Sequence, residues 1–322
     1  MANIAEHHSQ DVDDQAKSLT GWRQVYEQLR CGRFEGSAWQ VEMTDGVLLR
    51  ETTNRGLREQ IVPPPGHVVI AVPLSVMPGS VFGGRPLERE SLLVLSSQEE
   101  YDLISAGELD LVGMSLHRDV VESTLAPAKV DWLRRAERER NLALLPDIAS
   151  AIRQMLLAAC TNAEQQLDAL ADRSDEAALL SATLTQAVVL AMAGDGSDLN
   201  ASIPRRAETR LRVVKRAIEF MRANLHNDIG VPEICAAAFS SRRSLQYCFE
   251  EFLHTTPQAC LRALRLNAAR RTLKARAGQP ITELANELGF ASASHFTRHY
   301  KLMFDELPSE TLKLHCYGPT AV

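Results

Sequence analysis

The sequence predicts an α+β protein in two parts: a β-rich half closed into a barrel with appended helices, and an all-α half built from a repeated helical unit. Three observations carry this reading. Short apolar runs bounded by turn residues fill residues 20–120 or so, whereas from about 207 onward apolar residues recur at helical spacing. The helical third then repeats itself at a spacing of 51. Phe239, Ser241, Leu245, Phe249, His254 and Pro257 stand 51 positions before Phe290, Ser292, Phe296, Tyr300, Asp305 and Pro308. Charge divides the same way: residues 205–322 carry 18 Lys+Arg and 11 Asp+Glu, 18 − 11 = +7, and the rest carries 17 − 30 = −13, for a net −6. A length of 322 residues exceeds one ordinary core and suits two domains.

Taken in order, the polar, acidic residues 1–20 are expected to be a flexible tail and lack the apolar core of a secretory signal. Residues 21–193 form the first domain. Two runs, AWQVEMT and GVLLRET, flank Asp45-Gly46, a hairpin dipeptide in which glycine supplies positive φ cheaply. HVVIAVPL, SLLVLS and LDLVGMSL are further strands, and such spacing fits a barrel or a sandwich. From about 118 the pattern turns helical. Ile148, Ile152, Met155, Leu156 and Ala159 share one face, and Leu180, Leu184, Val188 and Met192 share another further on. Each stripe suits packing on the strands or pairing with a second copy. Residues 194–206 read as a linker, rich in Gly, Ser and Asp and ending at Pro204.

Residues 207–316 hold the two helical units. A helix from Ala207 to about Asn224 presents Leu211, Val214, Ala217, Ile218 and Met221. A second begins near Pro232, with Ile234, Ala237 and Ala238 inward. Ser241 caps a third, in which Leu245, Phe249 and Phe252 face the core at i, i+4 and i+7. Arg242, Arg243, Ser244, Gln246 and Tyr247 therefore face outward, as the recognition helix of a helix-turn-helix does. Arginine can bind guanine, and glutamine adenine, through two hydrogen bonds each. In the second unit Ile281, Leu284, Ala285 and Leu288 form the supporting helix and Gly289-Phe290 the turn, and Ser292 caps a helix with Phe296 and Tyr300 inward. Its outward set, Ala293, Ser294, Thr297 and Arg298, is smaller and suits phosphate contact with modest base reading. Residues 257–275 make one connecting helix of roughly 28 Å at ~1.5 Å per residue. Successive turns of a groove lie about 34 Å apart. Such a rod can hold both recognition helices on one face of a duplex.

These residues resemble the AraC/XylS family of bacterial transcription regulators over about residues 207–313. Pro257, Leu261-Arg262, Arg265, Ala269 and Leu273 match its connecting helix. Ile281, Leu284-Ala285, Leu288-Gly289-Phe290, Ser294-His295-Phe296, Arg298, Tyr300-Lys301 and Pro308-Ser309 match its second unit. The run Arg243, Leu245-Gln246-Tyr247, Phe249 and Leu264-Arg265-Leu266-Asn267 is most similar to the ethanolamine-operon-regulator branch. His254 and Asp305 stand where the family has glycine, and Ser292 where it has aspartate. The resemblance implies a cytoplasmic, nucleoid-associated regulator, usually an activator, whose cupin-like N-terminal domain senses a small-molecule effector or mediates dimerisation. The partners it implies are double-stranded DNA, RNA polymerase, an effector and a second copy, with no membrane.

Enzymatic chemistry finds no support in the residues. His7, His8, His67 and His117 show no metal-ligand spacing, and the six cysteines contain no CxxC pair. Gly79, Gly83 and Gly84 lie in turns without a phosphate-binding pattern. No cofactor, metal or catalytic residue is expected. Two readings of the first half remain: an effector sensor, favoured by the resemblance, or a ligand-independent dimerisation and protein-interaction module.

Overall fold

The computed structural model describes residues 4–170, 205–275 and 279–316, together with 182–183, 186 and 197–198. It falls into two compact units. The first comprises Met1–Tyr26, Glu35–Asn54 and Glu59–Ile203, and the second Glu27–Phe34, Arg55–Arg58 and Pro204–Val322.

In the first unit, β1 (Ile4–Ser9), β3 (Gly36–Met43), β4 (Gly46–Thr53), β6 (His67–Val76), β9 (Ser91–Ser96), β11 (Leu109–His117), β12 (Asn141–Leu144) and β13 (Ser197–Asp198) build an eight-stranded sheet. Its order is β1-β3-β4-β11-β6-β9-β12-β13. A second sheet orders β2 (Arg23–Gln28), β5 (Leu57–Val62), β10 (Tyr101–Ile104), β7 (Val81–Phe82) and β8 (Arg85–Pro86). The expected closed barrel is not formed: the strands make two separate sheets, packed face to face. Alternating burial is the same inside a barrel and a sandwich, so the sequence does not distinguish them.

The run Val68–Val72 is apolar at every position because both faces of β6 are covered. Val68, Ile70 and Val72 join Leu92, Val94, Val112 and Met114 beneath three helices, α2 (Arg118–Thr124), α3 (Pro127–Glu139) and α4 (Pro146–Leu170). Val69, Ala71, Leu93 and Leu95 face Ile61, Phe82, Tyr101 and Leu103 of the second sheet. Pro73 lacks a ladder N–H and sits beside the register shift at Asp110/Leu111. Gly46 opens β4 where a Cβ would come within 2.0 Å of the Ser115 carbonyl oxygen. Ile152 and Leu156 of α4 are fully buried on the sheet, and Ile148, Met155 and Ala159 pack against it partly buried. That stripe is therefore a packing face, while Leu180, Leu184, Val188 and Met192 lie outside the described residues.

Residues 4–19 are not a flexible tail. β1 pairs with β3 from Ile4↔Val41 to Ser9↔Gly36, and α1 (Val12–Gln15) follows, capped by Asp11. Most β1 side chains face solvent on an edge strand, so their polarity hid a strand that backbone pairing holds. His7 and His8 belong to it. Gln15, carried by α1, is fully buried and donates from Nε2 to Glu51 Oε1 at 2.8 Å. The Tyr26 hydroxyl donates to the same carboxylate at 2.9 Å, and Glu59 also bonds to Tyr26. Burial pushes the Glu51 carboxyl up to about 7, against the hydrogen bonds from Gln15 and Tyr26. Burial and the nearby Glu51 raise Glu59 as well.

Two parts of the span expected as a linker, 194–206, are described and regular. Ser197–Asp198 pair with Ala143 and Leu144 of β12, and the next helix already begins at Arg205.

The second unit contains α5 (Arg205–Ala223), α6 (Val231–Ala237), α7 (Arg242–Leu253), α8 (Pro257–Ala275), α9 (Ile281–Glu287), α10 (Ala293–Phe304) and α11 (Pro308–Cys316). Leu211, Val214, Ala217, Ile218 and Met221 of α5 are buried, as their spacing predicts. Pro232 occupies the first turn of α6, and α8 spans the predicted 19 residues unbroken.

Candidate nucleic-acid interface

Each candidate recognition helix, α7 and α10, is fixed by its cap, its apolar stripe and its end. The Ser241 side chain accepts from the Ser244 N–H at 3.2 Å, and the Ser292 side chain from the His295 N–H at 3.1 Å. Leu245, Phe249, Phe296 and Tyr300 are completely buried. The helices end at His254 (φ 48) and Asp305 (φ 59), both left-handed, in the conformation the absent glycines would otherwise supply.

The supporting helices obey a different offset. Phe239 (φ 51) occupies the turn position of Gly289 (φ 69), and 289 − 239 = 50. The Ser240 N–H bonds to Cys235 O as that of Phe290 does to Ala285 O, again 50 apart. Ala291 is thus an extra residue before the second cap. Phe239 and Phe290, matched in the sequence, are not equivalent. Phe239 is 83% exposed, beneath the Arg216 guanidinium, while Phe290 is buried. A Cβ on Gly289 would lie 2.9 Å from Arg265 Nη1, whose guanidinium is held by Leu225 O and Asn227 O. Gly289→Ala should therefore cost about 1–3 kcal/mol from left-handed strain and displaced hydrogen bonds. Phe239→Ala, already non-glycine, should move the midpoint little, which thermal unfolding of the two variants checks.

On α7, Arg242, Arg243, Ser244 and Tyr247 are exposed and Gln246 is half-buried. The carboxylates on the outer face of this helix are engaged by other side chains, Glu250 by Gln246 and Glu251 by Arg210. Gln246 donates from Nε2 to Glu250 Oε1 at 2.6 Å, so reading an adenine requires it to leave that carboxylate. Arg210 bonds Glu251 and lies 5.8 Å from the Tyr247 ring centre, which holds the ring on the outer face.

On α10, Ser294 and Arg298 are exposed, and Ala293 and Thr297 half-buried. Two residues beyond the expected set lie with them. His295 and His299 face each other at 2.9 Å between Nε2 atoms, and Arg262 Nη1 of α8 lies 3.2 Å from His299 Nε2. Burial, then Arg262, His295 and Arg298, lowers the His299 pKa, favouring its neutral form. Their i, i+4 spacing is the signal for this pair in the sequence, although histidine suits a core as well as a surface.

The connecting helix offers fewer cations to DNA than its sequence suggests. Arg270 is bonded to Glu306, Arg265 to backbone carbonyls and Arg262 to His299. Among the described residues no three His, Cys, Asp or Glu side chains gather to hold a metal, and no helix is long and apolar enough to cross a membrane.

A family model described as a helix-turn-helix domain matches residues 234–314, from within α6 to α11. The "XylDLEGF operon transcriptional activator 2" of Pseudomonas putida is 34% identical over 103 residues, 31% of this chain and 66% of that protein. "HTH-type transcriptional regulator GbdR" of Pseudomonas aeruginosa is 33% identical over 97 residues, 30% of this chain and 26% of that protein. The chain thus spans less than two thirds of either relative. A solved AraC-type DNA-binding-domain protein from Chromobacterium violaceum is 28% identical, with 35% of this chain and 98% of that one covered and a TM-score of 0.32. These relatives are named as transcriptional regulators, not enzymes.

Proposed function

The chain belongs to the AraC/XylS family of transcription regulators, and from that premise we propose that it activates transcription by docking α7 and α10 into successive major-groove segments of one duplex. The observation that supports this best is the pair of serine-capped helices, each with a buried aromatic stripe and an outward polar face. Arg243 and Gln246 read bases; Arg242, Ser244 and Tyr247 flank them. Ala293, Ser294, Thr297 and Arg298 dock α10, chiefly against phosphate. RNA polymerase is the partner through which bound DNA is activated, in the cytoplasm.

The first unit serves as the effector sensor and dimerisation part. A cleft of about 760 Å³ lined by Leu19, Trp22, Gln24, Gln60, Val62 and Glu100 is large enough for a metabolite. Thermal unfolding against a metabolite panel tests this, because a ligand held only by the folded state raises the midpoint. A flat panel with a concentration-dependent dimer favours the ligand-independent reading.

Selection of the full chain on a random duplex library tests the DNA assignment. The expected result is a bipartite motif whose affinity falls steeply with salt. Salt-sensitive binding without a motif would refute base reading. On the enriched site, Arg243→Ala and Gln246→Ala should each relax preference at one base pair by about 1–3 kcal/mol. Uniform weakening on every sequence would make that residue a phosphate contact instead.

A further inference from the structure

The helical unit includes a segment from far earlier in the chain, Glu27–Phe34. Its polar groups reach the ends of both recognition helices. Arg30 donates from Nη1 to His254 O at 3.0 Å and from Nη2 to Leu253 O at 3.2 Å, the carbonyls that close α7. Gln28 Nε2 donates to Met303 O at 2.8 Å, and the Gly32 N–H to the same carbonyl at 3.0 Å, in the last turn of α10. Terminal helix carbonyls have no partner within their own helix and carry the negative end of its dipole. This segment supplies their donors.

Between these points it is fastened to α8. Asn267, 1% exposed, accepts from the Gln28 N–H at 3.1 Å and donates to Gln28 O at 2.9 Å, pairing with that residue's backbone as a neighbouring strand would. Its Nδ2 also donates to Ala263 O at 2.8 Å, one turn earlier. Glu27 meets Arg222 of α5 at 2.8 Å and Arg58 at 3.6 Å. Leu29 packs on the core around Phe296 and Tyr300. One short segment thus holds α5, the end of α7, the middle of α8 and the end of α10.

We infer that Glu27–Phe34 is a strap that sets the separation and relative rotation of the two recognition helices, making Gln28, Arg30 and Asn267 positioning residues for DNA recognition. Besides this segment, the two helical units are joined by the rod α8, about which each can twist, and by Leu225 packed on the second core. The recognition role rests on the paired docking proposed above; the spacing role does not.

The test uses the full chain with spin labels carried by unnatural amino acids at positions 247 and 302, which are exposed on α7 and α10. Pulsed dipolar measurement should give one narrow distance in the parent and a broadened or displaced one in Arg30→Ala and in Asn267→Ala. On the enriched DNA site, inserting one base pair between the two elements should cost the parent about tenfold or more in affinity and the variants about threefold less. If both variants keep the parent's distance and its spacing penalty, the strap is refuted. Arg30 is half-exposed, so Arg30→Ala decides the matter if Asn267→Ala does not fold. A parent that enriches no bipartite motif refutes paired docking, and the distances still decide the strap.

Discussion

Glu51→Gln is expected to make the first unit more stable by about 3 kcal/mol at pH 8 and to leave it nearly unchanged at pH 4. The folded carboxyl titrates near 7, above its ordinary 4.5, because burial disfavours the charged form. A raised carboxyl pKa means that the folded state binds the proton more tightly than the unfolded chain. The parent should therefore lose stability as pH rises from about 4.5 through 7. Glutamine keeps acceptors for Gln15 and Tyr26 and removes the buried charge, so this part of the slope should vanish. Glu59 continues to titrate, with its like-charged neighbour gone. All three tryptophans, Trp22, Trp39 and Trp132, lie in the first unit, so their fluorescence follows it selectively during urea unfolding. Parallel pH profiles for parent and variant would refute the account.

Phe296→Ala should destabilise the second unit by about 3–5 kcal/mol, the usual cost of emptying a fully buried aromatic site. The ring stands 5.1 Å from Phe290, edge-on, and 5.6 Å from Tyr300, among Leu266, Leu284 and Met303. Far-UV circular dichroism should show helix lost early while tryptophan fluorescence melts as in the parent. If α7 and α10 dock as proposed, DNA binding should lose its bipartite character first, since Leu245 and Phe249 of α7 are fully buried outside the core that holds Phe296. If both signals shift equally, the units unfold as one body.

Helices α7 and α10 were legible because three local signals agree there: serine caps, apolar residues at i and i+4, and polar residues between them. The strands of the first unit were legible for the same local reason. What escaped was set by distant partners. Glu51 sits in GVLLRET, where alternation cannot mark an outward face because both faces of that sheet are covered. β1 is polar because it borders solvent, and only its pairing with β3 reveals it as a strand. Phe239 and Phe290 were matched by residue type, although their backbones place the left-handed turn one position apart. Gln28 and Arg30 carry no periodicity, and Asn267, the partner of Gln28, lies 239 positions away.

The inserted position of Glu27–Phe34 has a practical consequence for modular engineering. The relatives match this chain over roughly its helical third, which invites exchanging that third with theirs at the linker. Such a chimera would keep this chain's Gln28 and Arg30 but receive another protein's helix ends and another residue at Asn267. A cut at the linker would separate a lock from its key. Successful transplants should carry residues 27–34 with the helices, or restore an asparagine at the position they grip.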